Sequence, residues 1–175
     1  YQNRKMRMKQ YNILIVDDEE GVRTTYKRML SSEGYNLIFA NDHSDALMKM
    51  EEFSVRPSAE VGDISQVLAL AIIDQNLEDF HEELHDPKWA TATGLNLIQE
   101  VKSLFRPSRV IMITAYKWQI GEDHSFEAGR LLADGYYAKK EILIAEPLKE
   151  LVRQELQKFD QAVKNYNKKI TTRNL

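Results

Sequence analysis

The chain has 175 residues, of which 43% are hydrophobic and 29% are charged, a composition typical of a globular domain and unlike disordered or collagen-like chains. It contains no cysteine, which excludes disulfides, thiolate metal sites and a cysteine nucleophile. The longest apolar run, VLALAII at residues 67–73, is far too short to span a bilayer, so we expect a cytoplasmic protein that does not enter a membrane.

The net charge of −3 conceals an uneven distribution. Residues 1–10 carry four basic and no acidic side chains, and residues 147–175 carry seven basic and three acidic ones. The segment between them, 11–146, therefore holds 13 Lys and Arg against 24 Asp and Glu, a net charge of −11. Such an acidic body suits a bound cation and disfavours direct contact with nucleic acid. Because the first residue is Tyr rather than Met, we expect the chain to be a piece of a longer one.

Segments rich in β-branched and aliphatic residues alternate with amphipathic segments along the chain, which is typical of βαβ units on a parallel sheet. Apolar residues at helical spacing predict helices after the first four strands, the fourth of them around residues 123–133. One doubly wound α/β domain accounts for this pattern. The five predicted strands lie at residues 11–16, 37–40, 67–73, 110–113 and 136–138.

Two polar segments and a long helix extend this pattern. Residues 54–65 and 77–93 are polar and each contains a proline, so both are predicted to be long loops. From Glu146 onward, a heptad-like stripe predicts a helix whose first three turns pack on the sheet and whose remainder acts as a coiled coil or linker. The stripe consists of Val152, Leu156, Phe159, Val163, Tyr166 and Ile170.

Polar side chains follow four of the predicted strands. Asp17 and Asp18 follow the first strand and Asp74 follows the third, while Thr114 and Lys139 follow the fourth and fifth. Ligands of an open α/β sheet bind beyond the carboxyl ends of its strands, so we expect these five side chains to share one site. Three crowded carboxylates repel one another unless a cation lies between them, and oxygen ligands without His or Cys suit Mg²⁺.

The chemistry of this group favours phosphoryl transfer. A carboxylate can attack phosphorus and form an aspartyl phosphate. Asp74 stands alone at its strand end, whereas the adjacent Asp17 and Asp18 are suited to holding the metal. The Lys139 ammonium can neutralise the transferred group, and the Thr114 hydroxyl can donate a hydrogen bond to it.

Four stretches resemble the motifs of receiver domains of two-component response regulators. The resemblance covers about residues 11–160 and implies a flavodoxin-like (βα)5 three-layer sandwich, with strand order 2-1-3-4-5 and an extended C-terminal helix. It also implies Mg²⁺-dependent phosphorylation by a histidine kinase or phosphotransfer protein, followed by a change in partner binding. The matching stretches are ILIVDDEE at 13–20, LAIIDQN at 70–76, MITAY at 112–116 and DGYYAKK at 134–140.

The resemblance assigns a role to each matching residue. Asp74 matches the phosphoacceptor, Asp17 and Asp18 match the acidic pair that binds Mg²⁺, and Lys139 matches the family lysine. The backbone carbonyl of Asn76 is similar in position to one that completes the metal shell.

Thr114 and Tyr136 match a coupled switch pair, in which the hydroxyl moves to the phosphoryl group and the aromatic ring moves inward. Their movement is expected to alter the face formed by helix 4, strand 5 and helix 5. That face, or the C-terminal helix, is the expected contact of a homodimer.

The resemblance divides the chain into a basic arm at 1–10, a receiver core at 11–146, and a fifth helix with its tail at 147–175. Lys140 stands where the family commonly has a proline, and the loops at 54–65 and 77–93 are longer than usual. These departures leave the catalytic residues in place but alter the surface available to partners. They motivate an alternative, a receiver fold that binds a partner regardless of phosphorylation.

The segment from His81 to His85 fits the H-E-x-x-H pattern of zinc peptidases. In a helix, both imidazoles would lie on one face with a carboxylate beside them. The segment lies in a polar loop, however, and no His-rich helix offers a third ligand. Zinc-dependent hydrolysis through His81 and His85 is therefore the weakest of the three functional hypotheses.

Overall fold

The structure, a computed structural model, describes residues 10–53, 61–75, 77, 93–115 and 133–173. Its strands are Asn12–Val16 (β1), Asn36–Ala40 (β2), Leu68–Asp74 (β3), Arg109–Thr114 (β4) and Gly135–Ala138 (β5). Its α-helices are Glu20–Leu30 (α1), His43–Met50 (α2), Thr93–Leu104 (α3), Lys139–Ile142 (α4) and Ala145–Arg173 (α5). The predicted helix at 123–133 lies outside the described residues except for its last position, as do most of the two predicted loops and of the basic arm.

The described strands form one parallel sheet in the order β2-β1-β3-β4-β5. Every residue of β1 and β3 is buried, because these two strands are near-continuous apolar runs covered on both faces. The chain leaves β1 toward β2 on one side and returns to β3 on the other, which opens a crevice at the carboxyl ends of β1 and β3. The predicted strand order and the flavodoxin-like architecture are confirmed.

Two clusters of buried side chains cover the two faces of the sheet. On one face, α1 and α5 contribute Tyr26, Leu30, Val152 and Phe159 to a cluster that includes Ile13 of β1. On the other face, α2 and α3 pack against the alternate strand residues, and the buried members of these helices are Ala46, Met50, Leu97, Ile98 and Val101. Alternation along each strand therefore gives the three layers, since successive side chains point to opposite faces.

The long C-terminal helix is confirmed, and its packing extends further than the three turns predicted. Val163 is 6% exposed, and the Tyr166 ring lies edge-on to Phe105, with 5.3 Å between the ring centroids. The stripe thus contacts this chain's own core as far as Tyr166, beyond the three turns predicted to pack on the sheet. Although α5 has 29 residues, no described helix is both long and apolar enough to cross a membrane.

Asn167 joins this extension of α5 to the segment that precedes β3. Its amide nitrogen donates to the carbonyl oxygen of Val61, and its amide oxygen accepts from the Val61 backbone N–H, each at 3.0 Å. Val61 is 8% exposed and belongs to the same core cluster as α5. The end of the predicted loop at 54–65 and the extended helix are therefore parts of one packed unit.

Replacing Asn167 with Ala removes both hydrogen bonds, so the backbone N–H and carbonyl oxygen of Val61 lose this side chain as a partner. We expect the free energy of unfolding to fall by about 1–2 kcal/mol, measured by urea unfolding followed by circular dichroism. Asn165→Ala is the matched control, because the Asn165 amide oxygen accepts an exposed hydrogen bond from Gln161 on the same helix. Equal stability of the two variants would contradict the role of Asn167.

Candidate functional site

The carboxyl end of β1 presents its acidic residues in a fixed backbone. Asp17 is 1% exposed, and its Oδ1 atom accepts the Glu19 backbone N–H at 3.0 Å. The Arg23 guanidinium, from the first turn of α1, donates to the carbonyl oxygens of Asp17 and Asp18 at 2.6 and 2.9 Å. Among the described residues, Arg23 thereby pairs with the backbone that carries two carboxylates.

Lys139 lies at the centre of the site, immediately after β5. Its Nζ atom is 2.6 Å from Asp74 Oδ2, 2.9 Å from Glu19 Oε1 and 3.1 Å from Asp17 Oδ2. The lysine is 9% exposed and Asp74 is 5% exposed, so the shortest of these ion pairs is largely shielded from solvent. The ammonium group of Lys139, which follows β5, therefore connects the residues after β1 with the last residue of β3.

The charges of this cluster do not balance. Burial raises the pKa of the Asp17 carboxyl to about 6, with Asp74 adding to the increase and Lys139 opposing it. Burial acts to lower the pKa of Lys139, but the hydrogen bonds to Asp74 and Glu19 and the nearby negative charges outweigh burial, so this pKa is raised. The ammonium thus stays charged among carboxylates that exceed it in number, and the site has a strong preference for a further cation.

The donor atoms of the site fit Mg²⁺. One carboxylate oxygen each from Asp17, Asp18 and Asp74 lie within 4.8 Å of one another, a spacing that a single ion can bridge. Close by, the hydroxyl of Tyr26 is buried without a hydrogen-bond partner among the described residues, and the charges of Asp17 and Asp74 add to the effect of burial in raising its pKa. A hydroxyl without a described partner, near the carboxylates of Asp17 and Asp74, suits an ion that keeps part of its water shell.

Gly94 sets how closely α3 approaches the end of β3. A Cβ atom on Gly94 would overlap the carbonyl oxygen of Asp74 and lie 2.9 Å from that of Gln75. Any larger residue would therefore push α3 away from the backbone that presents Asp74. The sequence marks Gly94 as the start of a helix but not as this point of contact.

A second group of side chains lies beside the carboxylates. Thr114 is 3% exposed at the end of β4, and it forms a side-chain hydrogen bond with Tyr136 of β5. The Tyr136 hydroxyl donates to the amide oxygen of Gln75, the residue after Asp74. Burial raises the pKa of Tyr136, the Thr114 hydrogen bond opposes this increase, and the charge of Asp74 adds to it. Tyr136 is therefore a neutral hydrogen-bonding group at neutral pH.

The structure brings most of the predicted site residues together. The carboxylates of Asp17, Asp18 and Asp74 meet as expected, and Lys139 contacts two of them. Thr114 and Tyr136 are joined to each other. Asn76, His81 and His85 lie outside the described residues.

Several contributors to the site were not predicted from the sequence, among them Arg23 and Tyr26 of α1. Glu19 reaches Lys139 from the rim with a side chain that is 63% exposed, and its position directly after the Asp pair was a usable signal. Gln75 and Gly94 act through contacts across the fold, and no local pattern in the sequence indicates either contact.

No protein-family model and no curated protein matches the sequence. Solved structures do match it. A CheY-like response regulator receiver domain protein from Methanospirillum hungatei JF-1 is 24% identical, with a TM-score of 0.61 over 89% of this chain and 98% of that one. A response regulator from Thermotoga maritima is 20% identical, with a TM-score of 0.58 over 85% and 98%. The receiver domain of NtrX from Brucella abortus is 23% identical, with a TM-score of 0.58 over 83% and 98%.

These similarities establish the fold. The three neighbours are response regulators or their receiver domains, each matched over 98% of its length, and the strand order agrees with the order that the resemblance implied. The chain therefore has the fold of a response regulator receiver domain.

Gly94→Ala tests the close approach of α3 to β3. The added methyl group overlaps the Asp74 carbonyl, so we expect a loss of about 1–3 kcal/mol in the free energy of unfolding, measured by denaturant titration. Gly21→Ala, on α1, is the matched control, since nothing lies within 4 Å of the position that its methyl group would take. Within a helix that replacement should be neutral or stabilising by up to about 1 kcal/mol. Similar losses in both variants would refute the contact.

The raised pKa of Asp17 predicts a pH dependence of stability. Between its ordinary 3.8 and about 6, the folded protein holds a proton that the unfolded chain has released, so this contribution to stability is lost as pH rises through about 6. The raised pKa of Lys139 does not interfere, since its contribution is lost only above its ordinary 10.5. In metal-free protein above pH 6, we expect Asp17→Asn to be more stable than wild type by about 1–2 kcal/mol.

Thermal unfolding from pH 4 to 8 in the presence of a chelator measures this effect. Asp63→Asn is the control, because Asp63 is exposed and caps a short 3₁₀ helix by accepting the Ser65 N–H, which Asn can also do. The control should keep the wild-type pH profile. If Asp17→Asn also keeps it, the carboxyl of Asp17 does not carry the predicted shift.

Proposed function

We propose that this chain is the phosphoacceptor domain of a two-component response regulator. The observation that carries the proposal is the 2.6 Å contact between Lys139 Nζ and Asp74 Oδ2, inside a group of carboxylates at the carboxyl ends of β1 and β3. Three carboxylates for a divalent ion, an ammonium for a phosphoryl group and a nearby hydroxyl form a site for transferring phosphate rather than for a metabolic reaction.

In the proposed step, a carboxylate oxygen of Asp74 attacks the phosphorus of a phosphohistidine on a histidine kinase or phosphotransfer protein. The new O–P bond forms as the P–N bond to the imidazole breaks. Lys139 already contacts Asp74, so its ammonium can form a hydrogen bond to the phosphoryl group once that group is bound to Asp74. Thr114 donates its hydroxyl to one of the phosphoryl oxygens.

Asp17, Asp18 and Asp74 would hold Mg²⁺, with the backbone carbonyl of Asn76 as a further ligand. The ion supplies positive charge that offsets the repulsion between carboxylate and phosphoryl oxygens. Arg23 keeps the backbone of the acidic pair in place, since it donates to both carbonyl oxygens. Gly94 helps to hold the backbone of Asp74, because it allows α3 to pack directly on the Asp74 carbonyl.

The proposed output is a change in the surface that includes β5. When Thr114 turns to the phosphoryl group, its hydrogen bond to Tyr136 is exchanged for one to phosphate. The face formed by the predicted helix at 123–133, β5 and α5 then responds. That face or α5 would serve as a homodimer contact. We assign the receiver core to residues 11–146 and the fifth helix with its tail to 147–175, acting in the cytoplasm.

A second candidate function is partner binding that does not depend on phosphorylation. It is favoured by the contact between Asn167 and Val61, which makes the unusual end of the loop at 54–65 part of a fixed surface with α5. Partner binding or self-association that is the same for wild type and Asp74→Asn would favour this candidate over the switch.

Phosphorylation is tested by incubating the protein with acetyl phosphate and Mg²⁺ and measuring its intact mass. We expect wild type to gain the mass of one phosphoryl group, and Asp74→Asn to gain none because the nucleophilic oxygen is lost. Asp63→Asn is the control for a general effect of removing a carboxylate, and it should label like wild type. Unlabelled wild type, or labelled Asp74→Asn, contradicts the proposal.

A further inference from the structure

Gln75 is a buried amide placed between the carboxylates and the residues of the proposed switch. It is 5% exposed, and its backbone N–H donates to the Ile113 carbonyl at 2.8 Å, so its backbone is tied to β4. It follows Asp74 directly in the chain. A buried amide side chain requires a hydrogen-bond partner, because an unpaired polar group away from water is costly.

The Tyr136 hydroxyl supplies that partner. It donates to Gln75 Oε1 and shares a second hydrogen bond with Thr114. The ring is half-buried and packs against the core cluster on the α2 and α3 face of the sheet. Alternation along β4 places Thr114 with Met112 on this same face, since Met112 belongs to that cluster.

We propose that Gln75 is a positioning residue that holds the Tyr136 ring inward before any phosphoryl group is present. Among the described residues, Tyr136 has two side-chain hydrogen-bond partners, and the departure of Thr114 toward a phosphoryl group removes one of them. The bond to Gln75 remains, since Gln75 stays anchored to β4 through its backbone. The ring therefore keeps its inward position in both states of the wild type, unlike the ring of the switch pair that the resemblance implied. Loss of Gln75 removes the acceptor of the Tyr136 hydroxyl, so the hydroxyl turns toward water even while Thr114 still bonds to it.

The importance of this positioning for signalling rests on the proposed function, but the position of the ring can be measured without phosphorylation. The full chain is labelled with 3-fluorotyrosine, and the Tyr136 resonance among the eight tyrosines is assigned with Tyr136→Phe. The readout is the fluorine shift between H₂O and D₂O, which increases with solvent contact of the ring. Gln75→Met and Gln75→Leu replace the amide with an apolar side chain of similar volume and so remove the acceptor of the Tyr136 hydroxyl.

We expect the solvent isotope shift of Tyr136 to rise about two-fold in both Gln75 variants, since a half-buried ring becomes exposed once its acceptor is gone. Gln154→Met is the matched control, because that exposed glutamine on α5 pairs with Glu150. It should match wild type. Circular dichroism confirms that each variant is folded. An unchanged Tyr136 resonance in folded Gln75→Met and Gln75→Leu overturns the proposal.

Adding Mg²⁺ and beryllofluoride, an analogue of the phosphoryl group, separates the two proposals. In wild type the Tyr136 ring should stay shielded from solvent after the analogue binds. A ring that becomes shielded only when the analogue binds would contradict its positioning by Gln75. If fluorine spectra show that beryllofluoride does not bind wild type, the phosphoacceptor function fails. The comparison of Gln75 variants without the analogue still decides whether Gln75 positions the ring.

Discussion

The ammonium group of Lys139 holds together the carboxylates at the carboxyl ends of β1 and β3. It lies 2.6 Å from Asp74 and 3.1 Å from Asp17, in a setting where both carboxylates are almost fully buried. A buried carboxylate is costly unless it is paired, so the lysine stabilises a concentration of negative charge that the fold could not otherwise hold. Since one ammonium cannot neutralise the whole group, the site remains attractive to a divalent cation and, with that cation, to a phosphoryl group.

The fold delivers these groups because parallel strands end at a common edge. β1, β3 and β5 carry the residues that meet there, and the change of direction between β1 and β3 leaves the crevice in which they face one another. At the opposite end of the sheet, Arg109 at the start of β4 pairs with Asp134 at 2.7 Å and with the fully buried Glu155 of α5 at 2.9 Å. The long helix is thus tied to the strand that carries Thr114, which offers a physical connection between the site and the helical face.

The positions of the strands and the acidic site could be predicted because their signals are local, whereas the strand order was implied by the resemblance to receiver domains. Continuous apolar runs mark central strands, and a polar residue directly after each run marks its carboxyl end. The contacts of Gln75, Gly94 and Asn167 could not be predicted, since each depends on which distant segment packs beside it. The stripe on α5 illustrates the ambiguity, because the same spacing serves a coiled coil or a helix packed on its own sheet. The ring of Phe105 beside Tyr166 shows that the stripe packs on this chain's core as far as Tyr166.

Calorimetric titration of metal-free protein with Mg²⁺ at neutral pH shows whether the carboxylates around Lys139 form one cation site. Wild type should bind one Mg²⁺ per chain, and Asp63→Asn should bind it equally well because Asp63 lies on the exposed surface. Asp17→Asn should lose this binding, since it removes a carboxylate from the group without altering its size. If wild type does not bind Mg²⁺, or if Asp17→Asn binds it with equal affinity, these carboxylates do not form a cation site.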